Sequence, residues 1–141
     1  TGLARDLADG RGIAAIDVMN DGNLSLIETV VGGPARYYRN VPRHKNHWIG
    51  FRLEGAGSNR RAFGARVTVR LKDGRTLMRD LQPANGFLSQ SDPRLHFGLG
   101  PRPEIAVVEA RWPSGRVERL EGLPLDRYHD VKEGSDLDAR R

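Results

Sequence analysis

Cysteine is absent from the 141 residues, which rules out a disulfide framework and thiolate chemistry. Long apolar runs are missing too. Nothing approaches the roughly 18 consecutive apolar residues of a membrane-spanning helix, and no basic-then-apolar leader follows Thr1. Helical periodicity is equally scarce, since no segment of helical length keeps three-four apolar spacing without an intervening Gly or Pro. Aromatic residues make up only 6% of the chain, which bears on how its net charge of +5 is read. A nucleic-acid site concentrates charge on one face or run and interleaves aromatics with it. Here the arginines are spread from Arg5 to Arg141, and the adjacent pairs are Arg60-Arg61 and Arg140-Arg141. The charge therefore reads as a solvated surface, and neither a nucleic-acid partner nor a membrane span is expected.

What the chain does have is alternation. Its length and its 38% hydrophobic content suit one domain, or one domain plus a fragment. From Arg61 to Leu71 one parity carries Phe63, Ala65, Val67, Val69 and Leu71, while Arg66, Thr68 and Arg70 take the other. That is the pattern of a half-buried strand. Ile49, Phe51 and Leu53 alternate between Trp48 and Gly55, and Val108, Ala110 and Trp112 alternate before a turn at Pro113-Ser114-Gly115. Asp73-Gly74 predicts a tight hairpin, its Gly supplying the positive φ. Arg116 to Leu120 predicts a returning partner strand, and Tyr128 to Lys132 one more. Short strands with turn signals between them predict an all-β fold, an antiparallel β-sandwich over 46–132 with a barrel as the alternative. Its expected core is Phe51, Leu53, Phe63, Val67, Val69, Val108, Ala110 and Trp112. Gly98-Leu99-Gly100 reads as a turn and not as a phosphate cradle, because Pro101 and Pro103 remove the amide donors such a loop would present.

Six short motifs occur in order between Asn46 and Gly115: Asn46-His47-Trp48-Ile49, Gly57-Ser58-Asn59-Arg60-Arg61, Phe63-Gly64-Ala65-Arg66-Val67, Gly86-Phe87-Leu88-Ser89-Gln90, Leu95-His96-Phe97-Gly98-Leu99-Gly100 and Trp112-Pro113-Ser114-Gly115. In that order they resemble the ASPIC/UnbV domain, the module that closes cartilage-acidic-protein-like chains. The stretch from Gly10 to Asn40 resembles the last FG-GAP/VCBS propeller repeat that usually precedes it. The resemblance implies a degenerate repeat fragment over 1–41, present as a β-hairpin remnant of a propeller blade. It further implies an ASPIC/UnbV-like β domain over 42–133 and a disordered tail over 134–141. Further propeller repeats upstream are implied as partners, with an extracytoplasmic or secreted location and a cytoplasmic one as the alternative. Because Thr1 is not an initiator Met, the chain is expected to be a piece of a longer protein.

Asp17-Val18-Met19-Asn20-Asp21-Gly22-Asn23-Leu24-Ser25 resembles the Ca²⁺ loop of such a repeat. A hard cation wants six to eight oxygens, and alternate residues wrapped about a Gly can aim them at one point. Asp17, Asp21, Asn23 and Ser25 are the candidate ligands, but Met19 offers a thioether where an oxygen belongs. Ca²⁺ is therefore expected to bind weakly or not at all. Glu28 falls where an EF-hand would place its last carboxylate. The exit Thr29-Val30-Val31-Gly32-Gly33-Pro34 is β-branched and then broken, unlike an EF-hand helix. A plain hairpin turn around Asn20-Asp21-Gly22 is the metal-free alternative, and Asn23-Leu24-Ser25 is also a glycosylation sequon.

The catalytic inventory is thin. His44 and His47 lie at a strand entry and share no helical face. Neither Ser89 nor Ser114 sits in a Gly-x-Ser-x-Gly elbow. No enzymatic activity is expected of this chain. Ser58, Asn59, Arg60, Arg61, Asn85, Ser89, Gln90 and His96 cluster in or near connections, where binding residues sit on rigid sandwiches. The same residue types also satisfy local backbone groups. The Arg60-Arg61 forks suit carboxylate or sulfate on an acidic glycan or protein. The expected function is a non-catalytic interaction or structural module at the end of a propeller protein. The alternative is a component or accessory of an enediyne-type biosynthetic enzyme, which would need an apolar pocket with convergent polar groups.

Overall fold

A computed structural model describes residues 9–57, 59–84 and 86–135, and among them it contains strands and no helix. The first three strands, β1 (Gly10–Ile16), β2 (Ser25–Val30) and β3 (Arg36–Tyr38), form an antiparallel sheet in the order β1-β2-β3. The expected hairpin is thus extended by a third strand.

Two further sheets face each other. One joins β4 (His47–Glu54), β7 (Leu95–Gly100) and β10 (Tyr128–Lys132) in the order β10-β4-β7. The other joins β5 (Arg66–Leu71), β6 (Thr76–Asp80), β8 (Ile105–Arg111) and β9 (Val117–Leu120) in the order β6-β5-β8-β9. The result is a sandwich and not a closed barrel. The Asp73-Gly74 hairpin closes with Gly74 at φ 91° and Leu71 N–H donating to Arg75 C=O at 2.9 Å. The core between the sheets holds Ile49, Phe51 and Leu53 of β4, Leu95, Phe97 and Leu99 of β7, Val131 of β10, and the inward residues of β5, β8 and β9. Phe51 and Phe97 meet edge to face at 5.8 Å, a geometry that aligns ring edge with ring face. Trp112 is buried, and its indole N–H donates to Glu118 at 2.8 Å.

Three local expectations are corrected. The β5 strand starts at Arg66, because Ala62 at φ 52° and Gly64 at φ 91° make the preceding segment a turn. Phe63 therefore lies at the margin of the core, only partly buried. Gly98-Leu99-Gly100 belongs to β7, with Leu99 fully buried and Gly98 paired to Trp48. One pairing is parallel: β10 runs alongside β4, with Tyr128 opposite Gly50 and Val131 opposite Leu53. Its long return connection makes that direction possible.

Candidate functional site

Side chains of β4, β7 and β10 that point away from the core build the first feature. Successive strand residues alternate faces, so Trp48, Gly50, His96 and Tyr128 stand together on the outer face. Trp48 stacks on His96 at 5.3 Å and meets Tyr128 edge-on at 4.8 Å. The loop after β1 covers this aromatic group. Gly22, at φ 83°, approaches so closely that a Cβ there would fall 2.2 Å from Trp48 Nε1, so the approach requires the absence of a side chain.

Asp17 is the buried centre of that loop. Its carboxylate accepts from the backbone N–H of Asp21 at 3.1 Å, from that of Gly22 at 2.8 Å and from the Tyr128 hydroxyl at 3.0 Å. Burial first, and then this bond to Asp17, push the Tyr128 phenol well above its ordinary pKa. Arg94 completes the junction. Its Nε donates to both Asp92 oxygens at 2.9 Å, its Nη2 donates to Asp17 C=O at 3.0 Å, and its Nη1 reaches Asn20. The guanidinium also lies over the Tyr128 ring, 4.0 Å from its centroid, a cation–π arrangement. Alongside, the outer edge of β1 is closed by Ala15 N–H donating to Ser91 Oγ at 3.0 Å and Asp92 N–H donating to Ala15 C=O at 2.9 Å.

Three of the four candidate Ca²⁺ ligands already take part in hydrogen bonds. Asp17 accepts from three donors, Asp21 accepts from Asn23 N–H at 3.0 Å, and Ser25 Oγ is bonded to the Tyr37 hydroxyl and Asn40 N–H, both at 3.1 Å. Met19 is exposed. A cation there would have to compete with the hydrogen-bond donors aimed at these oxygens. Among the described residues no group of three or more His, Asp or Glu side chains is placed to hold a metal ion. The segment leaving the loop is strand β2, as its β-branched exit indicated.

The expected ligand-binding residues separate into different places. Arg60, Arg61 and Gln90 border one groove of about 1010 Å³, together with Arg52, Phe63, Val131 and Lys132. Asn59 supports it from behind, its side-chain amide donating to Phe63 C=O at 2.9 Å. His96 is not in that groove. It lines a smaller cavity of about 210 Å³ beside Ser91, Asp92 and Arg94. Its Nε2 is buried without a hydrogen-bond partner among the described residues, and burial lowers its pKa despite a backbone hydrogen bond with Gly22. Ser89 Oγ, beside β1, is likewise buried and has no hydrogen-bond partner among the described residues. Ser114 donates to Glu133, so neither serine is bonded to a histidine. Ser58 and Asn85 lie outside the described residues. Sequence reasoning missed Arg52 and Lys132 in the groove, and Arg94 and Tyr128 in the junction. The Asp92-Pro93-Arg94 spacing was the available signal for Arg94.

A β-sandwich carrying a docked small sheet and an arginine-edged groove is the class of protein that this geometry defines. The family model described as ASPIC and UnbV matches residues 55–137, more than half of the chain, and the chain belongs to that family. It is similar to Cartilage acidic protein 1 of Xenopus tropicalis and of Mus musculus, at 30% identity over 114 residues in each case. The human Cartilage acidic protein 1 is 29% identical over the same length. Each match takes in 77% of this chain but only 17% of the relative's length.

Proposed function

We propose that this chain is a non-catalytic interaction module closing a longer β-rich protein. Its N-terminal sheet is the last, degenerate FG-GAP/VCBS-type unit of an upstream propeller, and its arginine groove receives an acidic glycan or protein. The observation that carries the reading is the two-sided apolar character of the β1-β2-β3 sheet. Cross-strand partners share a face, so Ala14, Ile27 and Tyr37 stand on one side and Ala15, Leu26 and Tyr38 on the other. None of these six is fully buried, and Tyr37 is 50% exposed. A sheet with apolar residues on both faces needs a neighbour on each. Among the described residues, hydrogen bonds join this sheet to the sandwich at the edge of β1 and through the 17–22 loop.

In this reading the Asp17–Ser25 loop serves as a dock, and Ca²⁺ binds weakly or not at all. Kinship to proteins named for cartilage supports a location outside the cytoplasm, and the serines' lack of histidine partners supports the absence of catalysis. Hydrogen exchange tests the main claim: joined to the segment that precedes it in its parent protein, the chain should show slower exchange in β2 and β3. Unchanged exchange there would count against a neighbouring repeat. Calorimetric titration with Ca²⁺ tests the loop. Little heat is expected from the natural chain and more from Met19→Asp, whereas submicromolar affinity in the natural chain would make the loop a working cation site.

A further inference from the structure

The groove bounded by β4, β10, the 59–63 turn and the 90–94 connection has two unlike sides, and the inference drawn from them rests on the acidic-ligand reading above. On one side Arg60 and Arg61 are exposed, and their side chains have no ion-pair or hydrogen-bond partner among the described residues. On the other side the cations are already matched: Arg52 bonds Asp130 at 2.8 Å and Lys132 bonds Glu54 at 3.3 Å. The two carboxylates of those pairs are well exposed. Between the sides, Leu53, Leu81 and Val131 back the floor and Phe63 is left only partly covered.

A sulfated glycan lying across this groove would meet the exposed carboxylates of Asp130 and Glu54 with like charge. A peptide needs only one carboxylate at the arginine side and can place an apolar side chain on the floor. Arginine forks suit carboxylates in particular, since two parallel N–H donors meet two oxygens. We propose that the groove docks an extended segment of a partner protein in which an Asp or Glu stands within two residues of a bulky apolar residue. The carboxylate engages Arg60 and Arg61, and the apolar side chain lies against Phe63. Binding of this kind is driven by burial at the floor and oriented by the charge.

The test pans a displayed library of random heptapeptides against the full chain at about 150 mM salt, where long-range charge attraction is screened. A titration with a sulfated hexasaccharide runs beside it. The expected result is enrichment of peptides with Asp or Glu beside Leu, Ile, Phe or Trp. A synthetic copy of an enriched peptide should lose about tenfold or more in affinity on the double substitution Arg60→Gln/Arg61→Gln. That variant should melt with the natural chain, because both side chains are exposed and unbonded. Phe63→Ser should weaken the same peptide without changing its preference for an acidic residue. Binding of the hexasaccharide alone would overturn the peptide assignment and leave the acidic-ligand reading standing. Binding of neither would overturn both. Residues following Ser135 read Asp136-Leu137-Asp138, which is the same chemistry. Enrichment that appears only in the Asp136→Asn/Asp138→Asn chain would make that segment the occupant and overturn the partner proposal.

Discussion

His96 stacks on Trp48 with one ring nitrogen buried and unpaired among the described residues, in a junction that also contains Asp17, Asp92, Arg94 and Tyr128. Burial disfavours the imidazolium, so the folded-state pKa lies below the ordinary value. An unfolded histidine titrates near about 6.5. Between that value and the lower folded one, the unfolded chain binds more protons than the folded chain. Stability is therefore full above about pH 6.5 and falls as pH drops through it, until the folded pKa is passed. His96→Phe keeps a ring against Trp48 but cannot take a proton. Urea midpoints measured from about pH 7.5 to 5 should fall less steeply in His96→Phe than in the natural chain. Equal slopes in the two proteins would show that His96 does not carry this dependence. Asp92 acts in a lower window. Burial raises its pKa, but hydrogen bonds and charge from Arg94 outweigh that and leave it depressed, so its contribution is lost only in more acidic solution.

The N-terminal sheet is an element held by a few polar contacts, and Arg94 makes two of them. One guanidinium ties Asp92, Asn20, the Asp17 carbonyl and the Tyr128 ring, and its side chain is only 13% exposed. Replacing it by Met keeps some packing but strands the Asp92 carboxylate. Removing one partner of a buried pair costs on the order of 3 kcal/mol or more. The loss should fall on the docking of β1-β2-β3 and not on the sandwich, whose core contains neither residue. In Arg94→Met, hydrogen exchange should quicken at the Ala15 and Gly22 amides while β5 and β8 keep their protection. Equal quickening in both places would mean that the junction and the sandwich are a single cooperative unit.

At the scale of the whole molecule, stability resides in the two facing sheets. Phe97 is almost fully buried and meets Phe51 of the neighbouring strand on the core face of the same sheet. Phe97→Ala should destabilise the chain by about 3–5 kcal/mol, the usual cost of removing a core aromatic ring. Chemical denaturation should show that loss in probes of every sheet. The contrast with Arg94→Met is the useful outcome, since one substitution strikes the core and the other a seam. A cost below about 1 kcal/mol would indicate that the core collapses freely around the missing ring.

Much of the strand framework was legible in the chain itself. Period-two alternation marked β4, β5 and β8, the Asp73-Gly74 and Pro113-Ser114-Gly115 turns separated their neighbours, and the core residues followed from parity, because one face of each strand must leave water. The Arg60-Arg61 pair was equally visible as free charge. Pairing lay beyond the sequence. Leu95, Phe97 and Leu99 alternate, yet Gly98-Leu99-Gly100 read as a turn, whereas pairing with β4 holds that stretch extended. The parallel direction of β10, the meeting of Leu53 with Val131, and the enclosure of Asp17 by Gly22 and Tyr128 join segments far apart in the chain. Local alternation determines which face of a strand is buried, but only the packed sheets decide which distant faces, charges and donors come together.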